Sequence, residues 1–444
     1  MSARRERGPG LPGPARFLCG LGLSLAGDQM WFVALGWTAA RWESPLRTTA
    51  VMACASVPRA VLLLVGGTLA DRYGPLRVVR VSQLLRTALM AAAALGLWLA
   101  GGAPLALLAA TAVAFGVLDA AHVPATSAAP TRLVPRAELP RAQGAVQAVQ
   151  RTAGVLGAPA GGAVTAFAGP AAATALVAAF FALSLTLLRH VRDRPAAPPP
   201  RRHTTPRGTA DHTGRQAVAA GVRYAVREPV VGRVLVVVAV LNLALAAPLN
   251  VGLALLSAER GWGPAGYSVT VSAFAAGAVA GALFSARRGG RPRAAAAGLG
   301  WVAAGGACLA LCPLAPSLVP VLALTAALGF TTGPATALLF GLVQARTHEH
   351  YTGRVSALAG FASLGLAPVS YAAFGSLAGA IGLTPAFEAC AAATLTTAAL
   401  TWTNRSVRTA TPNTPVTPGT PGTPGTPELR VVHVEDERDS VDPT

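Results

Sequence analysis

Long apolar runs alternate with short polar stretches along the chain as far as residue 404. A helix needs about 20 apolar residues to cross the hydrocarbon core of a bilayer, and a spanning segment must satisfy its own backbone groups, which favours helix. The pattern therefore predicts an all-α membrane protein with twelve transmembrane helices. They are expected near residues 17–40, 49–70, 78–99, 104–127, 143–168, 170–188, 231–257, 267–286, 294–312, 317–343, 355–377 and 383–403.

Arginine is concentrated in every second loop. The N-terminal tail and the loops after the second, fourth, sixth, eighth and tenth predicted helices are rich in it, whereas the intervening loops are nearly uncharged. Because basic loops remain on the cytoplasmic side, we expect both termini in the cytoplasm and a multi-pass chain in a bacterial inner membrane. The net charge of +18 lies between the apolar runs rather than on one domain face. A nucleic acid is therefore not an expected partner.

Composition divides the chain into five parts. A weak internal repeat, in which Gly144 and Pro159 recur at the same spacing as Gly353 and Pro368, supports two related halves. We predict a cytoplasmic tail over 1–16, a six-helix bundle over 17–190, a cytoplasmic linker with an amphipathic helix over 191–230, a second six-helix bundle over 231–404, and a disordered cytoplasmic tail over 405–444.

The loop after the second helix carries a motif, GTLADRYG at residues 67–74, followed by Arg77. Gly67 is expected to let helices approach closely, Gly74 permits a tight turn, and Asp71 can interact with arginines and with a helix N-terminus. The stretch resembles the signature loop of the major facilitator superfamily, although Pro75-Leu76 replaces the basic pair that the family usually has there. The resemblance implies the major facilitator fold and a cytoplasmic gate in which the carboxylate engages the start of helix 11. That gate would contain Gly67, Asp71, Arg72, Gly74, Arg77 and Arg354.

The fifth predicted helix contains GVLGAPAGG at residues 154–162. Its proline and small residues are expected to bend the helix and to let neighbouring helices pack closely. The stretch resembles the exporter motif of the same superfamily at Gly154, Pro159 and Gly162, and the resemblance implies antiport and export. Ordinary small-residue packing explains the same residues, so both interpretations stay open.

Further stretches resemble a bacterial branch of the superfamily that contains macrolide-efflux and enterobactin-exporter proteins: GDQM at 27–30, LVP at 133–135 and GRVS at 353–356. This resemblance implies export of small amphipathic molecules, namely drugs, secondary metabolites or siderophores, by alternating access and proton antiport. The superfamily's usual arginine in helix 4 is missing, and that region carries Asp119 and His122 instead.

Ionisable side chains inside predicted spans are costly, so each should face the bundle interior and find a partner. Asp28 in helix 1 and Arg59 in helix 2 lie at similar depth. We expect Asp28 to carry the proton and Arg59 to tune it; a permanent ion pair between the two helices is the alternative. Asp119 and Arg151 are expected to pair near the cytoplasmic gate, or to form a static bridge.

A central cavity between the halves would hold the cargo. Its expected lining is Trp31, Phe32, His122, Asn242 and Asn250, with His122 a hydrogen-bonded interior residue rather than a proton relay. Nucleophile–base spacings, metal ligands, phosphate-binding loops and haem motifs are absent from the sequence, so we expect neither an enzyme nor a cofactor nor a metal. The expected partners are a small-molecule substrate, a proton and the lipid bilayer, and a monomer is expected. A nutrient importer or facilitator of the same fold, and a non-transporting membrane scaffold, are the alternatives.

Overall fold

The structure is a computed structural model that describes residues 13–41, 44–135, 138–191, 223, 228–288, 294–347, 355, 358, 360, 362 and 365–404. These residues form helices joined by short connections, and no strand occurs among them. The first half contains α1 (Gly13–Ala40), α2 (Pro45–Tyr73), α3 (Pro75–Leu99), α4 (Leu105–Ala128), a short turn of helix (Pro130–Leu133), and the continuous segment Leu139–Leu188. Non-helical backbone at Gly169 divides that segment into α5 (139–168) and α6 (170–188).

The second half begins with α7, which runs from Pro229–Ala247 through a π-helical turn at Pro248–Gly252 to Leu253–Glu259. It continues with α8 (Gly263–Arg288), α9 (Ala294–Leu311), α10 (Leu318–Arg346), α11 (Ala367–Ile381) and α12 (Leu383–Thr403). Each of α1 to α12 falls on one of the predicted spans. The short helix Pro130–Leu133 and the π-helical turn were not predicted, and α1 begins earlier than expected.

Seven of the described helices are long and apolar enough to cross a membrane, or eight when the two parts of a bent α2 are counted as one span. One of the seven, Arg141–Leu188, contains both α5 and α6, and α9 and α11 are shorter apolar helices. Large apolar side chains such as Trp98 and Val319 are more than two-thirds exposed along the outer faces. An exposed apolar exterior with a packed interior is what a lipid-embedded helical protein requires.

Glycine and proline mark three helix boundaries. Gly74 has φ 85° and Gly169 has φ 80°, a backbone conformation that disfavours side chains, and each is followed directly by a proline at the first position of the next helix. Gly382, with φ 97°, also separates two helices, α11 and α12, although Leu383 rather than a proline begins the second one. These residues let consecutive helices turn back with almost no connecting loop, as was expected for Gly74.

Packing groups the helices into two sets. In the first, α1 and α3 pack against α5 and α6, and α4 packs against α2 and α3; in the second, α10 packs against α8 and α9, and α12 against α9 and α7. The two sets meet where α5 packs against α8 and where α2 packs against α11. This is the expected arrangement of two helical bundles.

The two ends of the protein differ in charge, and we name them by that difference. The Arg-poor end carries the connections α1–α2, α3–α4, α5–α6, α7–α8, α9–α10 and α11–α12, and the Arg-rich end carries the others. Among the described residues, the tightest contacts between the sets lie towards the Arg-poor end. There a Cβ added at Gly162 would overlap Ser268, and a Cβ added at Gly375 would overlap Thr49. The Arg-poor end is therefore closed in this conformation.

Several predictions fall on residues outside the described ranges. These are the N-terminal tail up to residue 12, almost all of the linker with its amphipathic helix, the disordered tail over 405–444, and Arg354 of the expected gate.

Candidate functional site

Four ionised side chains from four helices meet inside the first bundle. They are Asp28 of α1, Arg59 of α2, Arg86 of α3 and Asp119 of α4, each placed well inside its helix. Two carboxylates and two guanidinium groups make the cluster, which we call the ionic quartet, formally neutral. Charge compensation of this kind is what permits ionised groups at membrane depth.

Arg86 is at the centre of the quartet. Its side chain is 0% exposed, its Nη2 donates to Asp28 Oδ1, and the same nitrogen lies 3.8 Å from Asp119 Oδ1. Nη1 donates to Ser24 Oγ at 3.2 Å and to Gln83 Oε1 at 3.4 Å. One guanidinium group therefore faces both carboxylates at once.

Two aromatic rings line the other side of Arg86. Its Cζ lies 4.8 Å from the ring centre of Phe115 and 4.5 Å from that of Phe181, distances at which a cation is attracted to an aromatic face. The two rings are stacked with their centres 6.3 Å apart. The rings hold the guanidinium group beside the carboxylates and keep it from water.

Asp119 and Arg59 form the second pair of the quartet. Arg59 Nη1 donates to Asp119 Oδ2 at 3.1 Å. The Arg59 side chain is 22% exposed and that of Asp28 is 14% exposed, whereas Asp119 is 6% exposed. Water and solutes can therefore reach the quartet at Asp28 and Arg59 more readily than at the other two members.

The structure corrects the predicted pair of Asp119 with Arg151, and it gives Asp28 a different partner from the one in the alternative interpretation. Asp28 is hydrogen-bonded to Arg86 rather than to Arg59, although Arg59 is close enough to act on Asp28 electrostatically. Asp119 pairs with Arg59 and Arg86 instead of Arg151. Arg151 donates to the backbone carbonyl of Ala278 in the other bundle at 3.4 Å. Equal depth was a sound criterion, but depth alone does not fix which face of a helix a residue occupies.

Sequence reasoning missed the role of Arg86 and its neighbours Ser24 and Gln83. Gln83 and Arg86 stand three positions apart on α3, a spacing that places two polar side chains on one face of an apolar helix. Ser24 stands four positions before Asp28 on α1 and donates to Gln83 Oε1 at 3.0 Å. Matching these two polar faces would have identified the α1–α3 contact.

His122 is a buried, hydrogen-bonded residue, in the environment that was expected. Its Nδ1 lies 2.8 Å from Ser82 Oγ, and both side chains are nearly inaccessible. It stands one turn after Asp119 on α4, beneath the quartet on the side of the Arg-rich end.

The glycine that brings helices together at the α2 motif is Gly66, not Gly67. A Cβ added at Gly66 would lie 1.9 Å from the backbone oxygen of Ala120, whereas nothing lies within 4 Å of a Cβ added at Gly67. Asp71, Arg72 and Arg77 are exposed at the Arg-rich end. The contact expected between Asp71 and the start of α11 involves residues outside the described ranges.

The glycines of α5 pack against two helices. Added Cβ atoms at Gly157 and Gly161 would collide with the α1 backbone at Ala26 and Met30, and one at Gly162 would overlap Ser268 of α8. Gly154 is less crowded, since its Cβ would lie 3.6 Å from that of Ala275. The backbone keeps helical dihedral angles through Pro159, and the residue with non-helical angles in this segment is Gly169.

A cavity of about 260 Å³ lies in the second bundle between α7, α8 and α10. The predicted cavity was a central one between the halves; of its predicted lining residues, Asn242 lines this cavity, whereas Trp31, Phe32, His122 and Asn250 do not. Trp31 is buried with its ring centre 6.0 Å from that of Phe115, and Phe32 packs edge-on against the same ring. The lining is mostly apolar, with one amide and two hydroxyls: Val238, Leu241, Asn242, Leu245, Ala246, Leu249, Phe274, Thr332, Thr336, Leu339 and Phe340.

Within the described ranges, no group of three or more His, Cys, Asp or Glu side chains could hold a metal ion. The arrangement offers a cavity without charged side chains beside α7 and a buried cluster of paired carboxylates and guanidinium groups. Two packed helical sets, a lipid-compatible exterior and a charged interior cluster define a multi-pass membrane transporter.

Comparison with known proteins agrees. Residues 17–370 match the family model described as Major Facilitator Superfamily. The chain belongs to this superfamily, as the resemblance to the family implied. The chain is 28% identical over 383 residues to the multidrug efflux pump Tap of Mycobacterium tuberculosis and Mycobacterium bovis, covering 83% of this chain and 88% of the relative.

Solved structures share the fold. A bacterial homologue of the human lysosomal transporter Spinster, solved in an inward-facing and unoccupied conformation, has a TM-score of 0.60 at 14% identity and covers 88% of this chain and 95% of its own. The nucleoside transporter NupG, as its D323A mutant, has a TM-score of 0.64 at 10% identity, with 87% and 98% covered. At these identities the likeness shows the fold alone.

Proposed function

We propose that this transporter exports small amphipathic molecules by proton antiport. It would do so as a monomer in a bacterial inner membrane, with both termini in the cytoplasm. Support for export comes from the Tap relatives, which are described as multidrug efflux pumps. Further support comes from the glycines of α5, which pack closely against α1 on one side and against α8 on the other. With the orientation predicted from loop charge, the closed Arg-poor end is extracellular and the protein faces inward.

The observation that carries proton coupling is the position of Arg86 between two carboxylates. In the neutral quartet, Arg86 is hydrogen-bonded to Asp28 and close to Asp119. A proton on Asp28 would weaken its bond to Arg86 and leave a net positive charge in a buried site. The guanidinium group would then move towards Asp119, which is already bound to Arg59. Coupled groups of this kind titrate as a unit.

This exchange connects the proton to the cargo. When Arg86 pairs with Asp119, the bond between Asp119 and the partly exposed Arg59 weakens, and Arg59 becomes free to turn towards the space between the bundles. Because an unpaired buried charge is costly, the protein is driven to a conformation in which the proton can leave. A permanent structural ion pair is the competing interpretation.

The cavity between α7, α8 and α10 would hold the apolar body of the cargo. Its lining includes no charged side chain. Asn242 Nδ2 donates a hydrogen bond to the backbone carbonyl of Val238. The Oδ1 atom of the same amide accepts no hydrogen bond from the described residues. A neutral, ring-containing molecule with a hydrogen-bond donor fits this chemistry.

Everted membrane vesicles that express the chain test the proposal. Respiration acidifies their lumen, so an antiporter should accumulate a fluorescent amphipathic dye inside, and nigericin should abolish the accumulation. Asp28→Asn should lose accumulation while still exchanging dye across the membrane without a gradient. If Asp28 had only a structural role, the Asp28→Asn variant would lose both accumulation and exchange, or would keep both. Glu388→Gln is the matched control, because Glu388 is an exposed carboxylate on α12.

A further inference from the structure

A side chain from α11 interrupts the backbone hydrogen bonds of α7. Ser370 Oγ accepts a hydrogen bond from the backbone N–H of Ala247 at 3.0 Å and donates one to the carbonyl of Leu243 at 2.6 Å. Ala247 and Leu243 are four positions apart, so an uninterrupted α-helix would join them directly. The serine hydroxyl is therefore inserted into one rung of the α7 hydrogen-bond ladder, which is a recognised cause of helix bending.

The next residue of α7 extends the interruption. Pro248 has no backbone N–H and its ring conflicts with the carbonyl four positions before it, so the ladder cannot resume there. The chain instead forms the π-helical turn Pro248–Gly252. Such turns are rare, hold one residue more than an α-helical turn, and occur frequently at functional sites.

A second side chain holds the turn from α8. Tyr267 Oη donates to the backbone carbonyl of Asn250 at 2.8 Å, and Tyr267 is buried. Below the turn, Gly252 packs against the edge-on ring pair Phe374 and Phe387, leaving no room for a side chain. The π-helical turn is thus fixed by α8, α11 and α12 together.

The turn is also a contact with the other bundle. A Cβ added at Gly36 of α1 would lie 3.0 Å from the Asn250 carbonyl oxygen and 3.1 Å from Tyr267 Oη. This contact belongs to the closed Arg-poor end, as do those of Gly162 with Ser268 and Gly375 with Thr49. The position of the turn therefore bears directly on whether that end is closed.

We propose that the π-helical turn of α7 is the hinge of the gate at the Arg-poor end, and that Ser370 and Tyr267 are positioning residues that hold it against α1. If the backbone bonds after Pro248 change from the π-helical to the α-helical pattern, one residue leaves the turn. The segment Leu253–Glu259 then rotates by about 100° relative to the start of α7, the angle of one residue in an α-helix. That rotation removes the surface on which Gly36 rests and opens the end. The inference depends on neither the cargo nor the proton.

Chemical labelling of Thr49→Cys tests this in the full-length chain with its five native cysteines replaced. Thr49 is buried where α2 meets α11, so the rate at which N-ethylmaleimide reacts reports opening. Ser370→Ala and Tyr267→Phe each remove one side chain's hydrogen bonding to the α7 backbone. Each should raise the rate about three- to tenfold, the effect of one hydrogen bond on a two-state equilibrium.

The control removes a buried hydroxyl of α7 that makes no hydrogen bond with the described residues. Ser257→Ala should leave the rate unchanged. Gly36→Ala should raise the rate because its methyl group pushes α1 away from the turn, and it serves as a second test if a hydroxyl variant fails to fold. Unchanged rates in folded Ser370→Ala, Tyr267→Phe and Gly36→Ala proteins, or an equal increase in Ser257→Ala, would overturn the hinge. Labelling needs no substrate or gradient, so its outcome is separate from that of the dye experiment.

Discussion

Arg86 and Asp28 form a hydrogen-bonded ion pair between α3 and α1, and the guanidinium group of that pair also faces Asp119. Breaking a buried ion pair by removing one partner typically costs about 3–5 kcal/mol, because a charge remains without compensation. The position of Arg86, fully buried and in contact with two aromatic rings, places it in this category.

Arg86→Gln should therefore destabilise the protein by about 3–5 kcal/mol, measured by reversible unfolding in detergent or bicelles. The double variant Arg86→Gln with Asp28→Asn should recover part of the loss, because the quartet is neutral again. Arg59→Gln is the control within the same cluster and should cost less, since Arg59 is partly exposed. Equal losses for the two arginine variants would contradict the central position of Arg86.

Adjacent glycines in α2 offer a second, matched comparison. Gly66→Ala places a methyl group against the backbone of Ala120, which cannot move without separating α2 from α4. We expect a loss of about 1–3 kcal/mol, the usual cost of overpacking. Gly67→Ala meets open space and should be neutral or gain up to about 1 kcal/mol from better helix propensity. The midpoint of thermal unfolding should fall for the first variant only.

The α2 motif also shows what sequence alone can and cannot give. The spacing of apolar runs predicted the positions of α1 to α12, because a bilayer imposes length and helicity on each span. Gly74 was placed correctly because a positive φ is a local property of the chain. Gly66 and Gly67 are equivalent in a sequence pattern, and only the direction in which each Cα faces α4 distinguishes them.

The predicted pair of Asp119 with Arg151 was wrong for the same reason. Helix depth can be counted from a loop, and it placed Asp28, Arg59 and Asp119 inside their predicted spans. Which arginine meets which carboxylate depends on helix rotation and on which helices are neighbours, and these are tertiary properties. The π-helical turn of α7 was also beyond prediction, because Ser370, which interrupts the ladder, lies more than a hundred residues away in the sequence.

The cavity leads to a prediction about cargo size. Ala246 lines the cavity on α7, so Ala246→Phe should fill part of it and exclude bulky molecules. Val236 is on the same helix but 56% exposed on its outer face, which makes Val236→Phe the matched control. We expect Ala246→Phe to lower transport kcat/KM for a large dye about tenfold, equivalent to roughly 1.4 kcal/mol of lost binding. A smaller dye should be affected less, and equal effects on both dyes or in both variants would contradict a size filter at this site.

Double-mutant cycles distinguish the observed ion pairs from the predicted ones. Asp119 touches Arg59, so the combined variant Asp119→Asn with Arg59→Gln should show a coupling energy of about 0.5–3 kcal/mol in unfolding. Arg151 instead bonds the Ala278 carbonyl across the bundle interface, so Asp119→Asn with Arg151→Gln should be additive within about 0.5 kcal/mol. Arg151→Gln alone should change how the bundles associate, and its effect should appear in the labelling rate of Thr49→Cys. Strong coupling between Asp119 and Arg151 would instead restore the gate-side pair that sequence depth suggested, because only direct contact produces it.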